Sequence, residues 1–224
     1  MMPCPSTVTN DSTTPEAYFI DARLDREATI SLASPTRMVL PNGMGVVPSF
    51  LVPSHTTTIH ATVTSPESVY FDYGWGLGDP DLGSSTGKTA TGTYTTAEVP
   101  SGYWGVTPAL DRAFGASQPS NVVATVSMTA TTAAFDPAVT SPAGDLWLGS
   151  TNPNAVFAPY VVQPGQSVTI PVTITPAGKA GTAVSGTLYV SDSSFFPTTA
   201  LGSAGGLPMG SDVAALPYSY TTGS

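Results

Sequence analysis

Between residues 168 and 174, apolar side chains occupy every second position. Val168, Ile170, Val172 and Ile174 are separated by Thr169, Pro171 and Thr173. A period of two is that of a strand with one buried face, whereas a helix repeats every 3.6 residues. Pro164-Gly165 before the run and Pro176-Ala177-Gly178 after it are turn signals. A second run follows, with Val184, Gly186, Leu188 and Val190 on one parity. Burying each of the four residues from Val168 to Ile174 stabilises by ~1.5–3 kcal/mol before entropy, so together they decide which way the strand faces. Pro171 has no N–H to give to a ladder, which predicts an edge strand or a bulge.

The same pattern recurs along the chain. Ala28, Ile30 and Leu32 share one parity, as do Ile59, Ala61 and Val63, then Val69, Phe71 and Tyr73. Val122, Ala124, Val126, Met128 and Ala130 give five positions of clean alternation. Only 9% of residues are charged, against ~25% in ordinary soluble domains, so Thr and Ser must solvate the outer faces. Pro and Gly number 22 each, which implies many turns and few helices. Strands arriving every 8–12 residues between turn signals predict an all-β chain of antiparallel sandwiches.

The alternation lapses over residues 111–120, which read as a linker. The expected organisation is therefore a disordered tail at 1–15 and two tandem antiparallel β-sandwiches at 16–110 and 121–224. Tyr18 and Ile20 form a short run at the start of the first. Asp145-Leu146-Trp147-Leu148 reads as a short aromatic strand of the second. Residues 191–213 read as an insertion carrying Phe195-Phe196, a docking hook or a fold-back over an open sandwich end.

The formal charge is −9, with only six Lys and Arg. Nucleic acids and anionic membranes need clustered cations, and the sequence has none. Cys4 is the single cysteine, so no intramolecular disulfide forms. No apolar run approaches the ~20 residues of a helical membrane span. The first residues have neither a basic nor an apolar signal-peptide region, which fits a fragment, a truncated gene product or a wrongly chosen start.

Few residues suggest chemistry. His55 and His60 are the only histidines. They differ in parity, no Gly-x-Ser-x-Gly elbow accompanies them, and His60 should face solvent among threonines. No catalytic residue is assigned. Asp72, Asp79 and Asp81 surround a Gly-rich stretch, and closely spaced carboxylates there are weak candidates for Ca²⁺, though Gly-Asp and Asp-Pro are also ordinary turn pairs. Tyr70, Tyr73, Trp75, Tyr103 and Trp104 make a possible platform for sugar or peptide, against the commoner use of such rings in cores. Gly83 to Thr89 resembles a phosphate loop but has three residues between its glycines instead of four. The scattered glutamates show no pairing for glycoside hydrolysis.

One set of segments resembles a known family. Ala134-Phe135-Asp136-Pro137-Ala138-Val139-Thr140-Ser141 is followed by Gly144-Asp145-Leu146-Trp147. Val162-Gln163-Pro164-Gly165-Gln166-Ser167-Val168 comes next, then Ile174-Thr175-Pro176. Val184-Ser185-Gly186-Thr187-Leu188-Tyr189-Val190 and Leu216-Pro217-Tyr218-Ser219-Tyr220 complete the order. Taken together they resemble the C-terminal region of large secreted subtilisin-like serine proteases (subtilases) of high-GC bacteria. The first half is similar more loosely, through Gly78-Asp79-Pro80-Asp81 and Glu98 to Trp104. The resemblance implies a fibronectin type III/immunoglobulin-like sandwich in the second half, and an extracellular or cell-surface location. It also implies a non-catalytic accessory role beside a subtilase catalytic domain or a cell-envelope component. The family's Gly-Thr-Ser-Met-Ala and His-Gly-Thr stretches are missing, so its triad does not carry over. The alternative is an independent carbohydrate- or Ca²⁺-binding surface module.

Overall fold

A computed structural model describes residues 6–32, 36–40, 49–75, 84–111, 121–143, 159–193 and 212–223. Among them are fourteen strands and no α-helix, and every pairing below is antiparallel. The chain is all-β, as the alternation predicts. It divides into two compact units, one made of Met1–Glu27 and Ala133–Ser224, the other of Ala28–Thr132. This differs from two sequential halves, because the second unit is inserted in the first. The expected linker lies almost wholly outside the described residues. So do the predicted strand at 145–148 and Phe195-Phe196.

The reason for the nesting is long-range pairing. In the first unit β2 (Glu16–Ser31) contributes its N-terminal part, and β13 (Ala183–Ser193) pairs with it from Ser193↔Ala17 to Gly186↔Leu24. β14 (Asp212–Thr221) pairs with β13 along its length. β10 (Tyr160–Val162) also pairs with β2. No reading along the chain can see a partner some 165 residues away.

The opening run is two strands rather than one. β11 (Ser167–Ile170) ends just before Pro171, and β12 (Thr173–Ile174) begins three residues after Ile170. β11 pairs with β1 (Ser6–Thr9) and β12 with β9 (Val139–Thr140). Pro171 thus breaks the ladder at the point where the chain changes partner, the result of its missing donor. The buried face survives the break. Ile170 and Val172 are buried, Val168 and Ile174 partly so, and they share a core with Tyr18, Ile20, Leu188 and Val190.

The N-terminal segment is not a tail from residue 6 onward. Val8 packs on that core, and Asn10 is fully buried. The Asn10 amide donates to the carbonyls of Thr14 and Val162, both at 2.8 Å, while its Oδ1 accepts Ser12 N–H at 2.9 Å. Asn10 acts as a backbone surrogate in an Asx turn and fixes the segment that the polar composition hid.

In the second unit β5 (Thr56–Trp75) is central. Residues 56–64 pair with both β6 (Ser84–Val99) and β8 (Val123–Phe135); residues 69–72 pair with β6 and with β7 (Gly102–Leu110). The change of partner falls at a register shift between Thr64 and Val69, where Pro66 cannot donate. β4 (Ser49–Val52) extends β7, and β3 (Thr36–Val39) extends β8. Val122, Ala124, Val126, Met128 and Ala130 are all buried, the face that alternation selects.

The opposite face is a grid. Across β8, β5 and β6 the rows read Thr131-Thr58-Thr95, Thr129-His60-Thr93, Ser127-Thr62-Thr91 and Thr125-Thr64-Thr89. Apart from His60, every position is Thr or Ser, so hydroxyls rather than charges solvate this sheet. Thr58 and Thr95 hydroxyls lie 3.2 Å apart, and cross-strand pairs of this kind each add a few tenths of a kcal/mol or more.

Candidate functional site

The first unit gathers polar groups around Asp136. Three hydrogen bonds to main-chain groups set its place. Asp136 N–H donates to Ala22 O of β2 at 3.0 Å, its Oδ1 accepts Ala138 N–H at 2.9 Å, and its carbonyl accepts Val139 N–H. The residue is 1% exposed. Tyr218 donates its hydroxyl to Oδ2 at 2.7 Å, and Tyr220 donates between the two oxygens at 3.1 and 3.2 Å. The tyrosine rings are nearly parallel, 6.3 Å between centroids.

Tyr218 has Gly186 directly opposite it on β13. A Cβ at Gly186 would stand 2.3 Å from Arg23 O and 2.8 Å from the Tyr218 hydroxyl. Only glycine leaves room for that hydroxyl beside β13, next to β2. Burial, reinforced by the Asp136 bond and charge, pushes the Tyr218 hydroxyl pKa well above its ordinary value. Burial and the Asp136 charge push Tyr220 up to about 12.

Next to this lock a half-open cleft of about 530 Å³ is lined by Leu24, Asp25, Arg26, Thr182, Ser185 and Tyr220, among others. The Asp136 oxygens are fully engaged, and both histidines of the chain belong to the other unit. A buried carboxylate holding two phenols and an amide is a clasp, since its lone pairs face fixed donors rather than a substrate.

A second buried polar group lies on β2. Arg23 Nε and Asp21 Oδ1 are 2.6 Å apart, with side chains 1% and 0% exposed. Arg23 also donates from Nη1 to Ala133 O at 2.8 Å and lies 3.7 Å over the Phe135 ring. Every residue from Ala17 to Leu24 is buried, so the strand is covered on both faces. Alternation marks only Tyr18 and Ile20 in this stretch. Opposite charges two apart inside an apolar run were the available signal, because such residues share a strand face.

The expected site residues fare differently. Asp79 and Asp81 lie outside the described residues. Asp72 is in β5 opposite Ser84 and Thr107, Tyr73 opposite Val106, and Trp75 opposite Trp104. Tyr103 is in β7 opposite Leu51. Among the described residues no group of three or more His, Cys, Asp or Glu gathers. Trp104 is fully buried, donates Nε1–H to Pro100 O at 2.9 Å and packs 5.7 Å from the Tyr94 ring. It is core and has no face to offer a ligand. His60 lies on the threonine grid, as expected, with Thr93 at 2.8 Å and Thr62 at 3.2 Å. His55 turns the chain at φ 57° ahead of β5, and the Thr132 hydroxyl donates to its carbonyl at 3.0 Å. No helix among the described residues is long and apolar enough to cross a membrane.

No protein-family model, curated protein or solved structure matches the chain.

Proposed function

We propose that the chain is a non-catalytic accessory region of an extracellular subtilisin-like serine protease, with the first unit a fibronectin type III-like sandwich. The observation that carries this reading is where the family-like residues go. Phe135 stacks on Arg23, and Asp136 holds Tyr218 and Tyr220. Gly186 makes room for Tyr218, and Val162, Leu188 and Val190 share one core. Residues drawn from four separated segments are thus joined in one scaffold, and their hydrogen-bonding groups face one another. That is what a module that stabilises, spaces or targets an enzyme requires, since function resides in sites rather than in the fold itself.

The test is a pair of assays on the purified chain. Casein should remain uncleaved, and a fluorophosphonate serine-hydrolase probe should leave the chain unlabelled. The chain should also bind, or lengthen the thermal half-life of, a secreted high-GC bacterial subtilase catalytic domain, or else bind cell envelope from such a bacterium. Casein turnover abolished by a serine-protease inhibitor would overturn the reading, as would absence of both kinds of binding.

A further inference from the structure

A second cleft of the first unit, about 450 Å³, runs between β1 and β14. Val8 of β1, Val190 of β13, and Val213 and Leu216 of β14 line it. Val213 is 50% exposed and Leu216 40%, which makes them two of the few large apolar side chains that the described surface leaves open. Asp11 and Glu16 also line it, and none of the described lining residues is basic. Among the described residues β14 is hydrogen-bonded on one side only, to β13.

The Glu16 carboxylate is held in its charged form. Tyr18 donates to Glu16 Oε2 at 2.5 Å, and this bond, with a further one to Ser12, holds the Glu16 carboxyl below the usual range. Burial, then Glu16 itself, then Asp192 and Asp11, push the Tyr18 hydroxyl upward.

We propose that this cleft is a docking groove for an extended, basic segment of a partner polypeptide. Its aliphatic walls fit the methylene stem of a lysine or arginine, and Glu16 and Asp11 meet the cationic head. A groove bounded by two strands admits an extended chain more readily than a helix. The chain's own charge of −9 favours the encounter at long range. The inference concerns a surface of the first unit alone and holds whether or not the partner is a protease.

The test uses the full chain and a blocked peptide of alternating valine and lysine, followed by backbone NMR at low and at 300 mM salt. Saturable shifts should appear at Val8, Tyr18, Val190 and Val213, and affinity should fall with salt. A peptide with glutamate in place of lysine should not bind. Asp11→Asn with Glu16→Gln should weaken binding about tenfold, the worth of one or two charge-assisted contacts. Val213→Lys, which touches no hydrogen bond of the fold, should weaken it as much. Shifts centred elsewhere, no saturable shift, equal binding of the acidic peptide, or insensitivity to both variants would overturn the proposal.

Discussion

The Asp136 clasp makes a quantitative demand on the first unit. Asp136→Ala removes the acceptor of two hydroxyls and one amide. Ala138 N–H is buried, and leaving such a donor without a partner costs about 1–3 kcal/mol. Tyr218 is half-buried and its hydroxyl has the shortest of the three bonds, so a similar loss is expected there. Tyr220 is more open and recovers water. The sum is about 2–6 kcal/mol, which corresponds to roughly 4–24 °C in Tm for a chain of this size. Tyr218→Phe removes one donor and should cost about 1–2 kcal/mol. The decisive quantity is the coupling. In a double-mutant cycle by urea denaturation, Asp136→Ala and Tyr218→Phe should interact by at least ~1 kcal/mol, because each removes the same bond. Additive effects within a few tenths of a kcal/mol would refute the clasp, as would an Asp136→Ala variant that melts with the wild type.

Three further outcomes follow from the same geometry. Tyr218 and Tyr220 have raised folded-state pKa values, so their contribution is complete below the unfolded value near 10 and is lost as pH climbs towards and past about 12; Tm against pH should fall over this window, and Tyr218→Phe with Tyr220→Phe should flatten the fall. Arg23→Met leaves Asp21 buried without its ion partner and should cost ~3–5 kcal/mol, whereas adding Asp21→Leu should restore a large part of it in chemical denaturation. Asn10→Ala removes three bonds that hold the N-terminal segment, so hydrogen exchange should speed up over residues 6–9 and 167–170 while residues 59–63 keep their protection.

Alternation was sufficient wherever a strand has one wet face. It placed Val122 to Ala130, Ile59 to Val63 and Leu188 to Val190 on the buried side, and put His60 among threonines. It was insufficient where both faces are covered, as at Ala17 to Leu24, because a buried polar pair breaks the apolar run that would mark such a strand. Asp136 does not stand out from its segment in the sequence, since its importance depends on Tyr218 and Tyr220, more than 80 residues later. Trp104 shows the opposite difficulty: aromatic composition is the same for a platform and for a core, and only burial separates them. Pro171 and Pro66 were more informative than a breaker usually is, because each marks the place where a strand exchanges one neighbour for another.

The pairing of residues 6–24 with residues 160–221 sets an order of events during synthesis. As the ribosome delivers the chain from its N-terminus, residues 28–132 complete their own core as soon as β8 emerges. The first 27 residues must wait for β11, β13 and β14, the last about 200 residues behind them. A nascent chain stopped near residue 150 should therefore carry a protease-resistant centre preceded by an N-terminal arm that is still cleavable, and the arm should become resistant only when the final strand is released.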